Sequence, residues 1–470
     1  MLIHVVKSGE SLWQISNRYK VSMARIISAN GLQYPNKLLI GQSLVIPTEY
    51  IVHTVRAGES LWQISQNYGI SVQEIVQENK LSNPENIYPG LQLNIPPIRY
   101  TVKPGESLSQ VAQRYGISIE SLIDANGIQD SSLIYPGTVL IIPRKKTPIY
   151  VNGYIYDFTP NGVSVVREDG TYLTYLAPFA YRIKEDGTLE PIDDSALINA
   201  AYAKNVVPMM AITNFTSTEL GHNLAHVVLS IPEVRDKLIT NIINTMKVKG
   251  YQGVNIDFEN VLPADKENYN RFLVLTVQRL HAENFFVSTA LAPKTGPSQQ
   301  GLLYEAHDYE AHGRIVDFVV LMTYEWGYRA GPPQAISPLN QIKQVLDYAV
   351  TVIPRDKIFF GFQIYARDWI IPHVPGMEAE TFSMQEAISR AVRYEVRINY
   401  DPVSQSPFFR YTDNQGRRHE VWFEDARSAQ AKFDTVKDYR LKGISYWALG
   451  FPFPQNWTLL RGNFDIVKLI

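Results

Sequence analysis

Apolar and polar positions repeat three times along the first 146 residues. The segments VKSGESLWQISNRY, VRAGESLWQISQNY and VKPGESLSQVAQRY mark the copies, at a spacing of about 48 residues. From Gly9, Gly58 and Gly105, an Asn follows 21 residues later (Asn30, Asn79, Asn126), a Gly 32 later (Gly41, Gly90, Gly137) and a Pro 38 later (Pro47, Pro96, Pro143). The copies therefore align without a gap. Each predicts strand, helix, helix, strand. Leu12, Ile15 and Tyr19 fall at i, i+3 and i+7, one apolar stripe of a first helix. Ser22, Ser71 and Ser118 stand where a second helix is capped, and Ser71 with Glu74 fits a capping box. Pro89-Gly90 and Pro136-Gly137 are turn signals before the closing strands QLNIP and VLIIP. Units of this size lie near the lower limit of independent stability, so each needs a compact core.

After RKKTPI (residues 144–149) the pattern changes. Eight apolar runs alternate with helical stretches: IYVNGYIYD, YLTYLAPFAY, VVPMMAITNF, GVNIDFEN, FFVSTALAP, IVDFVVLMTYEW, KIFFGFQIYARDW and KGISYWALG. Near-continuous hydrophobic strands separated by amphipathic helices, such as residues 232–249, 264–283 and 337–353, indicate a parallel sheet covered on both faces. Eight such units suit a (β/α)8 TIM barrel better than an open sheet. Residues from about 369 to 422 break the alternation and contain a hairpin-like pair, so they read as a small α+β insertion between strand seven and a helix at 424–439. The expected organisation is multidomain: βααβ modules at 1–48, 51–97 and 99–144, then an α/β barrel at 148–470.

Composition mainly excludes. The chain of 470 residues carries 44 Lys plus Arg against 46 Asp plus Glu, and this near-neutral balance argues against nucleic-acid or membrane-surface partners. Without cysteine there are no disulfides, zinc-thiolate sites or thiol catalysis. No apolar run reaches the roughly 18 residues of a membrane span, and the opening MLIHVVKSGESLW has no secretory-signal pattern. His222 and His226 are spaced i, i+4 but lack the glutamate of HExxH, and they read as a solvated helix face. No GxSxG elbow, Walker loop or GxGxxG is present. No metal and no cofactor are expected. With 28 Tyr, 19 Phe and 7 Trp, the chain is rich in rings that either fill a large core or stack ligands such as sugars.

In the fourth barrel run, YQGVNIDFEN, Asn255, Asp257 and Glu259 alternate with Val254, Ile256 and Phe258. A period of two puts the three polar side chains on one face, pointing into the barrel toward its catalytic end. Two carboxyls buried together are relieved when one keeps its proton, and a protonated carboxyl is what glycosidic cleavage needs as general acid.

The triplicated unit resembles the LysM domain, which binds N-acetylglucosamine-containing glycans such as peptidoglycan and chitin. The resemblance places a shallow sugar groove between the loop before the first helix and the loop after the second. It implies Gly9, Glu10, Ser11 and Asn30 with the residue after it; Gly58, Glu59, Ser60 and Asn79; and Gly105, Glu106, Ser107 and Asn126. Trp13 and Trp62 become Ser109 in the third copy. Tandem weak modules gain affinity for a polymer through effective concentration.

The barrel resembles glycoside hydrolase family 18, whose signature is D-x-x-D-x-D-x-E on the fourth strand; here those positions hold Gln252, Asn255, Asp257 and Glu259. The resemblance implies that Glu259 is the acid/base and that Asp257 orients a 2-acetamido group, whose own oxygen attacks the anomeric carbon. MTYEW resembles the family's M-x-Y-[DN], making Tyr324 a donor to the acetamido oxygen, with Met322 and Glu325 beside it. SYWALG resembles the last strand, where Trp447 floors the reacting sugar; Asn152, Gln363 and Tyr365, with Asn255, are further candidates for the cleft. The whole arrangement resembles spore cortex-lytic N-acetylglucosaminidases. It implies a retaining enzyme on cortex peptidoglycan, located between spore coat and cortex, working as a monomer. A chitinase with the same site, and a non-catalytic glycan-binding lectin, are the alternatives.

Overall fold

In the computed structural model, residues 1–48, 50–128, 130, 134–216 and 219–470 are described. Each module is a two-stranded antiparallel sheet flanked by two eight-residue helices. In the first, Leu2–Val5 pairs with Ser43–Ile46 around Leu12–Tyr19 and Met23–Asn30. The other two repeat it, with Ile51–Thr54 against Gln92–Ile95 and Ile98–Thr101 against Val139–Ile142. The repeated Ser–Gln spacing explains where each first helix starts: Ser11, Ser60 and Ser107 close capping boxes with Gln14, Gln63 and Gln110. Small apolar cores follow, such as Val55, Leu61, Ile64, Ile75, Leu93 and Ile95 in the second module.

The repeated asparagine ties helix to sheet. Asn79 Nδ2 donates to the Ile75 carbonyl (2.8 Å) and the Asn94 carbonyl (2.7 Å), while its Oδ1 accepts from the Asn94 N–H (2.7 Å). Asn30 and Asn126 make the same three bonds in their modules. The repeated glutamate is equally engaged. Glu10 accepts from the Lys7 N–H, His4 and Arg18; Glu59 accepts from the Arg56 N–H and His53. These side chains thus pin their own loops, in a module that has few other means of holding its turns.

Eight parallel strands close a ring: Thr147–Ile155, Tyr175–Pro178, Val207–Thr213, Gly253–Asp257, Phe286–Leu291, Phe318–Leu321, Ile358–Gln363 and Gly443–Trp447. The last pairs in parallel with the first, Gly443 opposite Tyr150. Alternation sorts the residues as the period of two requires. Tyr154, Tyr175, Met209, Phe318 and Phe359 fill the interior, where the Phe318 and Phe359 rings lie 4.5 Å apart. Val254, Ile256 and Phe258 face outward onto the helices. Much of the aromatic excess is therefore core.

Two expectations need correction. The run KIFFGFQIYARDW is two strands, since the barrel strand ends at Gln363 and Ala366–Ile371 already belongs to the insertion. The insertion thus begins a few residues before 369. It is a five-stranded antiparallel sheet with the helix Met384–Arg393. A short strand, Phe464–Ile466, also extends the first barrel strand's edge.

Asn79→Ala would strand the Asn94 backbone groups, a cost of about 1–3 kcal/mol. Calorimetry is expected to show the second module melting earlier while the barrel transition stays in place.

Candidate active site

The fourth strand and the turn after it deliver two acids to the mouth of the barrel. Asp257 is buried and its Oδ1 has no hydrogen-bond partner. Burial first, and then the charge of Glu259, raise its carboxyl well above the usual carboxylate range. Glu259, just past the strand and half-buried, is pushed up to about 7 by burial and then by the charge of Glu325.

Asn214, at the end of the third strand, holds the backbone at the acid. Its Oδ1 accepts from the Glu259 N–H (2.9 Å) and its Nδ2 donates to the Glu259 carbonyl (2.7 Å). His307 Nε2 lies 2.9 Å from the preceding carbonyl, that of Phe258. Neither residue was found from the sequence. A polar residue directly after the apolar run VVPMMAIT was the available signal for Asn214.

Glu325 is held from behind. The Arg367 guanidinium meets its carboxylate with two 2.8 Å bonds, and the Tyr365 hydroxyl donates to the same group. Arg367 also bonds the Gly327 carbonyl, so the insertion's first strand clamps the turn after strand six. Tyr365 supports the site through Glu325 and does not stand free in the cleft. Arg367 was missed: it stands two residues beyond Tyr365, at the start of the insertion's first strand.

The cleft beside Glu259 holds Met322, Tyr324 and Glu325, with Leu303, Tyr304 and Trp326 as additional walls. Trp447 closes the last strand and packs edge-on to Phe179 at 4.8 Å, with the half-exposed Tyr156 at 6.3 Å. Three candidates do not reach the cleft. Asn255 is fully buried below Asp257, its Oδ1 accepting from Tyr154 Oη (2.8 Å) and its Nδ2 donating to Ser288 Oγ (2.9 Å). Asn152 is mid-strand, fully buried and bonded to Ser445 Oγ. Gln363 is fully buried against Ser337 and Glu424. The first two lie too deep: two residues back along a strand is about 6.6 Å further into the barrel. Among the described residues no group of three or more His, Asp or Glu side chains forms a metal site.

A closed parallel barrel with an acid pair at the C-terminal end of its fourth strand, under an open aromatic-walled cleft, defines a glycosidase-type site. The family model for glycosyl hydrolases family 18 matches residues 172–451, and the LysM domain model matches 4–47, 53–96 and 100–143. The chain belongs to glycosyl hydrolases family 18 and carries three LysM domains. It is 45% identical over 331 residues to the cortical fragment-lytic enzyme of Bacillus subtilis (strain 168), covering 69% of this chain and 77% of that one. The crystal structure of the spore cortex-lytic enzyme SleL of Bacillus megaterium QM B1551 superposes with a TM-score of 0.80 at 38% identity, covering 100% of this chain and 99% of that one. For SleL of Bacillus cereus the values are 0.68 and 40%, covering 89% and 99%.

The raised Glu259 carboxyl has a stability consequence. An unfolded glutamate titrates near 4.3, so below that pH both states are protonated and no penalty exists. As pH rises, the unfolded chain ionises freely while the folded site resists, until the full penalty stands above about 7. Glu259→Gln removes it. The variant is expected to melt higher than wild type at pH 8 and at the same temperature at pH 4, by calorimetry.

Proposed function

We propose that the chain is a retaining N-acetylglucosaminidase of spore cortex peptidoglycan, cleaving the β-1,4 bond after N-acetylglucosamine by substrate-assisted catalysis. The observation that carries this reading is the Asp257–Glu259 pair, in which Glu259 titrates near neutrality and the buried Asp257 has a bare oxygen. The names of the relatives supply the cortex as substrate.

In this reading the reacting sugar lies on Trp447. Glu259 donates its proton to the leaving oxygen. The acetamido oxygen attacks the anomeric carbon while Asp257 Oδ1 takes the acetamido N–H and Tyr324 steadies the carbonyl end. Water, deprotonated by Glu259, then opens the resulting oxazolinium and returns the β anomer. No enzyme nucleophile is needed. The departure at Asn255 matters because its amide is already bonded at both ends, which leaves the proton sharing to Asp257 and Glu259 alone. The same assignment places the protein in the spore, around the cortex, with the LysM domains holding the glycan.

Digests of purified cortex by wild type and Glu259→Gln test the reading. Release of new reducing ends is expected to fall about 10²- to 10⁴-fold in the variant. Equal release would refute it, and an inverted first product would refute the substrate-assisted step. Comparing turnover of chitin oligomers with that of cortex separates this enzyme from a chitinase, and no turnover of either would make it a lectin. Because protonated Glu259 is the active acid, kcat/KM is expected to fall as pH rises through about 7. Glu325→Gln removes a charge that favours the protonated form, so this limb is expected to move to lower pH.

A further inference from the structure

The three LysM modules share a fold but not a setting. In the first, the edge formed by the loop after the second helix and the turn before the closing strand is seated on the barrel domain. Gln455 Nε2 donates to Asn30 Oδ1 (2.8 Å) and to the Ser43 carbonyl (2.9 Å). The Ile398 N–H donates to the Ile40 carbonyl (3.0 Å), Arg427 donates to the Gly41 carbonyl (3.1 Å), and Ser389 Oγ lies 2.9 Å from Gln33 Oε1. Leu39, only 7% exposed, joins the hydrophobic core of the barrel domain.

The same positions in the other modules are open. Leu39 corresponds to Tyr88 and Tyr135, which are 59% and 65% exposed. A methyl group added to Gly41 would stand 1.9 Å from the Ile398 carbonyl oxygen, whereas one on Gly90 or Gly137 would meet nothing within 4 Å. At the residue after the repeated asparagine, a methyl on Gly31 would stand 2.5 Å from Gln385 Nε2 and 2.7 Å from Pro454 Cγ, and one on Gly127 would again meet nothing.

We infer that the first module is a mount and the second and third are the glycan holders: Gln385 of the insertion and Pro454 occupy, in module one, the space beside the residue after the repeated asparagine, which stays open for N-acetylglucosamine at Lys80 in module two and Gly127 in module three. This rests on the LysM reading above. Its physical basis is exclusion. A sugar approaching the backbone at residues 31–33 would have to displace side chains from the helices Met384–Arg393 and Pro454–Asn463. At the corresponding loop of the second module, Lys80 and Ser82 are exposed. The three copies thus divide the work between attaching the array to the catalyst and holding the polymer. Avidity then comes from two modules, not three.

Hydrogen–deuterium exchange on the full-length Glu259→Gln protein, with and without N-acetylglucosamine oligomers, tests this. The oligomer is expected to slow exchange in the loops at residues 56–60, 79–82 and 103–107 and to leave residues 7–11 and 30–33 unchanged. Equal slowing in module one overturns the inference. Slowing in the barrel cleft with none in any module overturns the LysM reading beneath it as well, which distinguishes the two failures. In a second protein, Gln385→Ala with Pro454→Ala trims the cover while leaving the Gln455, Arg427 and Leu39 contacts in place. Residues 30–33 are then expected to exchange faster without oligomer and to gain oligomer-dependent slowing. Absence of that gain would refute covering as the cause.

Discussion

Two carboxyl groups too close and too buried to ionise together set the terms for the rest of the barrel. A strand with a period of two carries Asp257 into the interior and brings Glu259 to the rim, and everything nearby keeps them there. Asn214 grips the backbone on both sides of the acid, Asn255 is locked beneath by Tyr154 and Ser288, and the outward residues Ile256 and Phe258 anchor the strand on the helices. Burial is the larger cause of the raised Glu259 carboxyl, the negative charge of Glu325 adds to it, and Arg367 in turn keeps that second carboxylate in place. An acid, its electrostatic neighbour and the neighbour's counterion come from strand four, the turn after strand six and the insertion. The chemistry is distributed, and the closed sheet makes the distribution rigid.

The insertion therefore serves two parts of the molecule. Its first strand provides Arg367 to the cleft, while its helix Met384–Arg393 and the segment at Ile398 form the seat for the first LysM module. The insertion thus touches both the catalytic mouth and the base of the glycan-binding array.

The parts of this fold legible in the sequence were those written as periods. The triplication, the eight apolar runs and the polar face of NIDFEN all survive as observed elements, because a two- or 3.6-residue rhythm leaves a trace in the chain itself. The residues misread were those whose meaning depends on depth or on a distant partner. Asn152 and Gln363 carry the right chemistry for a cleft, but the first lies mid-strand below the rim and the second is buried against Ser337 and Glu424. Arg367 and Asn214 act on groups contributed by other strands, a relation that no local spacing encodes. The LysM asparagines show the same limit: the repeat marks them, and only the packing shows that each ties its second helix to the closing strand.

The seat of the first module joins residues near the start of the chain to residues near its end, with Asn30 against Gln455 and Ala29 against Thr458. The barrel closes by the same long reach, its first strand pairing with one that begins at Gly443. Synthesis runs from the N-terminus at about 5–20 residues per second, so the modules can fold as they emerge. Neither the ring nor the whole of the module's seat can form before residues 443–458 have been made. On the nascent chain, then, the first module is a free domain like its siblings, and it becomes part of the hydrolase only when the helix Pro454–Asn463 has emerged to receive it.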